Sequence, residues 1–183
     1  MSFRNLYKYV FRSLSMGMKL PEVITEDEFK KIIAAIKSPK KRLAYCLGFY
    51  EAMRVSEVAK LRPEHINKEM KLLFIKNAKG HKDRNIPIAP EVMGGLRHLP
   101  IGNDTAKDHG IRNLQISWNR ITLKVLGRRL NFHILRHSSI THYLTQKKWS
   151  SLEVQRLAGH SKVSITEIYS HIRPEHLVER MWG

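Results

Sequence analysis

Two residues nine positions apart, His160 and Tyr169 in the stretch "LAGHSKVSITEIYSHI", pose the chemical question of this chain. A phenol is a poor nucleophile at neutral pH, so attack by Tyr169 demands partners that stabilise the charge on whatever it attacks. Three other stretches offer such groups. In "EAMRVSEVAKL", Arg54 precedes Glu57 by three residues, which could aim a guanidinium into a cleft with a carboxylate holding its fork. In "HILRHSSITHYL", His133 and Arg136 stand at i and i+3 and project from one helix face. In "NAKGHKDR", Lys79, His81, Lys82 and Arg84 form a basic cluster suited to a phosphate backbone. Taken singly, each has a plainer reading: a surface ion pair, a solvated helix face, a hairpin tip rich in lysine, a tyrosine packed beside a helix-turn-helix.

The elements that must position these groups follow from hydrophobic period and punctuation. "ITEDEFKKIIAAIKS" opens with Thr25 and Glu28 as a capping box and sets Phe29, Ile32, Ile33 and Ile36 on one helical face. "PKKRLAYCLGFYEAM" starts with Pro39 in the first turn and is apolar enough to be a buried helix. "SEVAKLRPEHI" reads as a short helix that Ser56 can cap. The period then changes: "KLLFIK" and "RNIPIA" flank "NAKGHKD", where Gly80 suits a turn, and predict a β-hairpin. After a short helix in "PEVMGGLRHL" and a loop in "PIGNDTAKDHG" come two long helices, "IRNLQISWNRITLKVLG" and "NFHILRHSSITHYLTQKK". Ile134, Leu135, Ile140, Tyr143 and Leu144 give the second of these its core side. Two shorter helices follow, "SSLEVQRLAG" and "KVSITEIYSHI". The expected class is α+β, mainly α-helical, with one small antiparallel hairpin or sheet. Residues 1–20 read as a basic helix or linker remnant, and 173–183 as an amphipathic tail.

Composition narrows the partners. Lys and Arg number 33 against 16 Asp and Glu, a formal charge of +17 on 183 residues. That balance favours a polyanion, nucleic acid first, although a ribosomal or membrane-surface protein would show the same bulk number. An apolar fraction of 42% suffices for a packed core. The lone cysteine, Cys46, excludes a disulfide framework and a cysteine-ligated zinc site, and reads as a core thiol. No run reaches transmembrane length and the N-terminus has no leader pattern, so the expected location is cytoplasmic. No carboxylate cluster stands at metal-ligand spacing, and neither metal nor other cofactor is expected.

The order of the motifs is more specific than any one of them. "MRVSEVAKLRPEHI", "AKGHKDRNIPI", "HILRHSSITHYL" and "LAGHSKVSITEIYSHI", after the opening helix in "ITEDEF", resemble in sequence and order the catalytic domain of the tyrosine recombinases, the integrase and Xer-type family. The resemblance covers about residues 22–172. It implies that Arg54 and Arg136 clamp a scissile phosphate, with Glu57 supporting the first arginine. It further implies that Lys79 protonates the leaving 5′-oxygen, that His133 assists proton transfer or orients the phosphate, and that His160 bonds a non-bridging oxygen. Tyr169 would form a 3′-phosphotyrosyl link, and His81, Lys82 and Arg84 would contact DNA. The implied domain spans 21–172, and the implied partners are double-stranded DNA and further copies of the chain assembled on it; the tail either folds on its own domain or docks on a neighbouring copy. The twenty or so residues ahead of it are too few for the smaller DNA-clamping domain that the family usually places there.

Two other readings use part of the same pattern. "SLEVQRLAGHSKVSITEIYSHI" has the look of a helix-turn-helix regulator, which leaves the upstream arginine, lysine and His-x-x-Arg groups idle. A type IB topoisomerase shares the Arg, Lys, Arg, His, Tyr chemistry, but the "LAGHS" context and the His160–Tyr169 spacing look like the integrases.

Lys79 and Lys82 compete for the role of acid, and Lys79, next to Gly80, matches the family's lysine. A positioned acid is worth about 10²–10⁴-fold when an alkoxide must leave. Lys79→Ala should therefore cleave a normal ester slowly, and a substrate with sulfur as the bridging 5′ atom at nearly the wild-type rate. Rescue of Lys82→Ala instead would move the role to that residue.

Overall fold

The computed structural model describes residues 22–76, 83–103 and 108–159. Thr25 and Glu28 form the expected reciprocal cap: the Glu28 N–H donates to Thr25 Oγ1 at 3.1 Å, and the Thr25 N–H to Glu28 Oε2 at 2.9 Å. The helix so started, α1 (Glu26–Ala34), buries Phe29 and Ile32. Pro39 sits in the first turn of α2 (Pro39–Tyr50), whose residues 43–45 and 47–50 are all buried. This is the central helix. The rings of Phe29 and Phe49 stack with centroids 4.2 Å apart and lock α1 onto it. Cys46 is half-buried on α2, and burial pushes its thiol up to about 11.

The next segment departs from expectation. The helix α3 spans Val55–Lys60 and its N-cap is Arg54, not Ser56. The chain then passes through a 3₁₀ turn, Pro63–His65, into a short strand, β1 (Ile66–Asn67), where one continuous helix was expected. The hairpin strands β2 (Leu72–Ile75) and β3 (Arg84–Pro87) pair antiparallel with Leu73 opposite Ile86 and Ile75 opposite Arg84, and β1 adds to β2. The sheet is thus three-stranded, and Leu73, Ile75 and Ile86 point into the core. "PEVMGGLRHL" divides at its glycines into α4 (Pro90–Met93) and a 3₁₀ turn, Leu96–His98.

Three helices finish the frame. Trp118 and Thr122 on α5 (Ile111–Leu126) reach past the helix end: the indole donates to the Asn131 carbonyl at 3.1 Å, and Thr122 Oγ1 accepts from the Leu130 N–H at 3.1 Å. These bonds fix the start of α6 (His133–Thr145), which lies across α2. The crossing is close because position 48 carries no side chain. A Cβ there would stand 2.9 Å from Leu135 Cδ1 and 3.2 Å from the Phe132 ring. The helix α7 (Ser151–Ala158) is opened by a capping box between Ser150 and Glu153 and packs on α6. No described helix is long and apolar enough to cross a membrane.

Glu51, just after α2, is 1% exposed and accepts a hydrogen bond from the Ala89 N–H at 2.7 Å. Burial pushes its carboxyl from 4.5 up to about 8, against the pull of that hydrogen bond, and the charge of Glu91 raises it further. A carboxyl raised in the folded state contributes stability that is complete below its unfolded value and is lost as pH climbs through the folded one. Glu51→Gln keeps the acceptor and removes the titration. Its melting temperature should therefore gain on the wild type by several degrees between pH 5 and pH 9, the window set by the shift from 4.5 to about 8. A constant difference across that range would show that Glu51 does not ionise there.

Candidate active site

The geometry begins where α2 stops. The Tyr143 hydroxyl of α6 donates to the Tyr50 carbonyl at 2.8 Å, and two residues on Ala52 adopts a left-handed φ of 51°. A residue with a Cβ gives up about 1–2 kcal/mol in that conformation. The reversal lets the Met53 N–H bond back to the Leu47 carbonyl at 3.3 Å and turns the Ala52 carbonyl toward α6, where Arg136 Nη1 donates to it. Arg136 is 2% exposed, so its guanidinium is held within the protein by the backbone just ahead of Arg54.

Arg54 follows as the N-cap of α3, with no side-chain oxygen to cap the helix. Glu57 supplies the cap from the third position: its Oε2 accepts from the Arg54 N–H at 2.8 Å, and its Oε1 from Arg54 Nη1 at 3.0 Å. The Arg54 side chain stays 33% exposed while that of Glu57 is only 6% exposed. Burial alone would raise the Glu57 carboxyl, but the hydrogen bonds and charges of Arg84 and Arg54 outweigh it and hold the group below the usual carboxylate range.

The second guanidinium on Glu57 was not anticipated. Arg84 was expected to meet DNA from the hairpin. Instead its Nη1 and Nη2 donate to the two oxygens of Glu57, each at 3.0 Å, and its Nε donates to the Leu157 carbonyl of α7 at 3.3 Å. Its side chain is 10% exposed. The signal for this was available in the alternation of β3, because Arg84 shares parity with the inward-facing Ile86 and Ile88. A cation on the core face of a strand calls for a buried anion.

His133 opens α6 on an exposed position, yet the surrounding protein, then the charges of Arg136 and Arg54, lower its pKa below 6.5. The imidazole thus lies within electrostatic reach of both guanidiniums. His137 lies one turn on, its ring edge-on to His133 at 4.5 Å, and burial, His133 and Arg136 lower it to about 4. Arg136 is thus held by the backbone two residues ahead of Arg54, Glu57 is bonded to Arg54, and the charges of both arginines act on His133. Guanidiniums and an imidazole are groups whose chemistry suits a tetrahedral anion, the first for stabilising charge and the second for accepting a proton. Lys79, His81, Lys82, His160 and Tyr169 lie outside the described residues. Among the described residues, no three His, Cys, Asp or Glu side chains are grouped to hold a metal ion.

This chain belongs to the phage integrase family, which residues 22–176 match. It is 30% identical over 172 residues to the tyrosine recombinase XerA of Thermococcus onnurineus, a match covering 86% of this chain and 61% of that protein. With XerA of Pyrococcus furiosus it shares 32% over 182 residues, covering 92% and 63%. The chain thus spans about three fifths of the length of these relatives. Its fold is that of the crystal structure of XerA recombinase, with a TM-score of 0.72 at 22% identity over 95% of this chain and 71% of that one. The site-specific recombinase XerH, in a post-cleavage complex with palindromic difH substrate, gives a TM-score of 0.70 at 27% identity over 91% and 54%.

Gly159 ends α7 with a φ of +68°, and a Cβ there would stand 2.8 Å from Arg84 Cζ and Nη1. Gly159→Ala should destabilise by about 1–2 kcal/mol for the left-handed conformation alone, and by more because the guanidinium must move. Asn tolerates that conformation but carries the same Cβ. Gly159→Asn should thus recover little in urea unfolding, and full recovery would show that Arg84 does not set the constraint.

Proposed function

We propose that the chain is the catalytic part of a site-specific DNA strand transferase, a recombinase or integrase that cuts and rejoins double-stranded DNA through Tyr169. Arg136 bonded to the backbone two residues ahead of Arg54, with His133 under the electrostatic influence of both guanidiniums, in a chain of this family, carries the reading. The arginines bind the two non-bridging oxygens of the scissile phosphate and stabilise the charge that grows on them as the bond to the nucleophile forms. His133, neutral before DNA arrives, takes up the phenolic proton or holds an oxygen of the phosphate. The tyrosyl oxygen–phosphorus bond forms as the phosphorus–5′-oxygen bond breaks, and Lys79 gives its proton to the leaving oxygen. His160 donates to a non-bridging oxygen. The 3′-phosphotyrosyl ester retains the energy of the broken bond, so a 5′-hydroxyl can reverse the step without ATP.

The described fold, the motifs around Lys79, His160 and Tyr169, and the charge of +17 support this assignment together. Residues 21–172 form the catalytic domain on this reading, acting on DNA in the cytoplasm. The tail at 173–183 docks on a neighbouring copy within the assembly. His81 and Lys82 contact the DNA backbone, while Arg84 is withdrawn from that role by its bonds to Glu57.

The test is a nicked suicide substrate, from which the short strand diffuses away once cut. The wild type should accumulate a covalent protein–DNA adduct over candidate attachment sites. Tyr169→Phe keeps the ring and loses only the oxygen, so binding should persist while the adduct vanishes. An adduct of undiminished yield in the Phe variant would overturn the assignment. Relaxation of supercoiled plasmid lacking any attachment site, as efficient as cleavage of the cognate one, would turn the reading toward a topoisomerase.

A further inference from the structure

Arg84 is a buried cation that the proposed chemistry does not use. Three of its five N–H groups are spent inside the protein, two on the Glu57 oxygens at 3.0 Å each and one on the Leu157 carbonyl at 3.3 Å. The Leu157 carbonyl belongs to the last turn of α7, where no further helical N–H is available and a cation is favourably placed. The same guanidinium fills the space that a Cβ at Gly159 would take. One side chain thus ties together three pieces of the molecule: β3, which carries it; Glu57 of α3, which holds Arg54; and the last turn of α7, which ends two residues before His160.

We infer that Arg84 is a positioning residue, which fixes the fork of Arg54 through the shared Glu57 carboxylate and sets the end of α7 against it. This rests on the reading of Arg54 as a phosphate clamp. Two features make the link physical. Each Glu57 oxygen accepts from both arginines, Oε1 from Arg54 Nη1 and Arg84 Nη1, Oε2 from the Arg54 N–H and Arg84 Nη2. A fork-to-fork pair with Arg84 therefore fixes the plane in which Glu57 meets Arg54. The charges also count: Arg54 and Glu57 alone sum to zero, and with Arg84 the trio keeps one positive charge toward the cleft. Lysine would preserve that charge but could not reproduce the two parallel bonds.

The experiment compares wild type, Arg84→Lys, Arg54→Ala and the double variant, with sucrose added to favour the folded state of each. Single-turnover adduct formation on the suicide substrate should fall about 10²-fold in Arg84→Lys, as for other small misplacements of a catalytic group. DNA affinity should stay within about threefold, because the positive charge is kept. In the Arg54→Ala background the same change should cost little more, since both act on one interaction. Adduct formation by Arg84→Lys within about twofold of wild type, or defects that multiply with Arg54→Ala, would overturn the inference. A second readout needs neither DNA nor activity: nuclear magnetic resonance of the Arg54 guanidinium, whose N–H exchange should quicken in Arg84→Lys and, as a second variant, in Arg84→Gln. If the wild type formed no adduct, the functional reading would fall, and Arg54 exchange would still decide this one. Unchanged exchange in the folded variants would refute it.

Discussion

A carboxylate that is 6% exposed must be matched by cations or leave the protein unstable, and Glu57 is matched twice. Removing one partner from a buried ion pair is far more costly than never building it, so Glu57, Arg54 and Arg84 constrain one another's positions. The consequences spread outward. Arg54 can cap α3 without a side-chain oxygen because Glu57 does so from inside the helix. The sheet is fastened to α3 by β3, and α7 is fastened to the sheet by the Leu157 carbonyl. Chain segments just over a hundred residues apart in sequence, from Arg54 to Leu157, are held by one set of hydrogen bonds.

The other half of the site depends on backbone. Arg136 finds its partner in the Ala52 carbonyl, which faces it only because Ala52 is left-handed. That conformation is unfavourable locally and is held by its surroundings: Tyr143 on the Tyr50 carbonyl, Met53 on the Leu47 carbonyl, and the near contact of α2 and α6 at Gly48. Local strain next to a charged cleft, sustained by packing on both sides, is the arrangement expected where a side chain must be aimed rather than merely accommodated. The two arginines are thereby registered to each other through two peptide units, from Ala52 to Arg54. Their separation does not depend on a flexible loop.

How far the sequence revealed this follows from which interactions are local. The caps at Thr25 and Ser150, the buried α2, and the alternating runs of β2 and β3 are written within a few residues and were legible. The i, i+3 pairing of His133 and Arg136 was legible for the same reason. What escaped was non-local or too short to carry a period. Two residues of β1 cannot show alternation, so "RPEHI" passed for the end of a helix. The start of α3 was assigned to Ser56 because a hydroxyl is the usual cap, whereas Glu57 caps from the third position. Arg84 was read by its neighbours in sequence, a basic hairpin, when its parity with Ile86 and Ile88 sends it inward to a carboxylate 27 residues away.

The electrostatic state of the site completes the argument. Two guanidiniums beside His133, and His133 beside His137, make a protonated imidazole unfavourable, and both rings are held below their ordinary range. Fixed positive charge on the two arginines is therefore accompanied by imidazoles that favour their neutral form. On the proposed function, a phosphodiester seated between Arg54 and Arg136 would reverse the field that His133 feels, so a proton would become more welcome there after the substrate binds than before. A group that is neutral on arrival and basic once the phosphate is in place is suited to take the proton from a phenol. The fixed charges could not do this themselves, since a guanidinium does not release or accept protons in this pH range. The proposed function divides the labour accordingly, charge stabilisation to the two arginines and proton movement to His133.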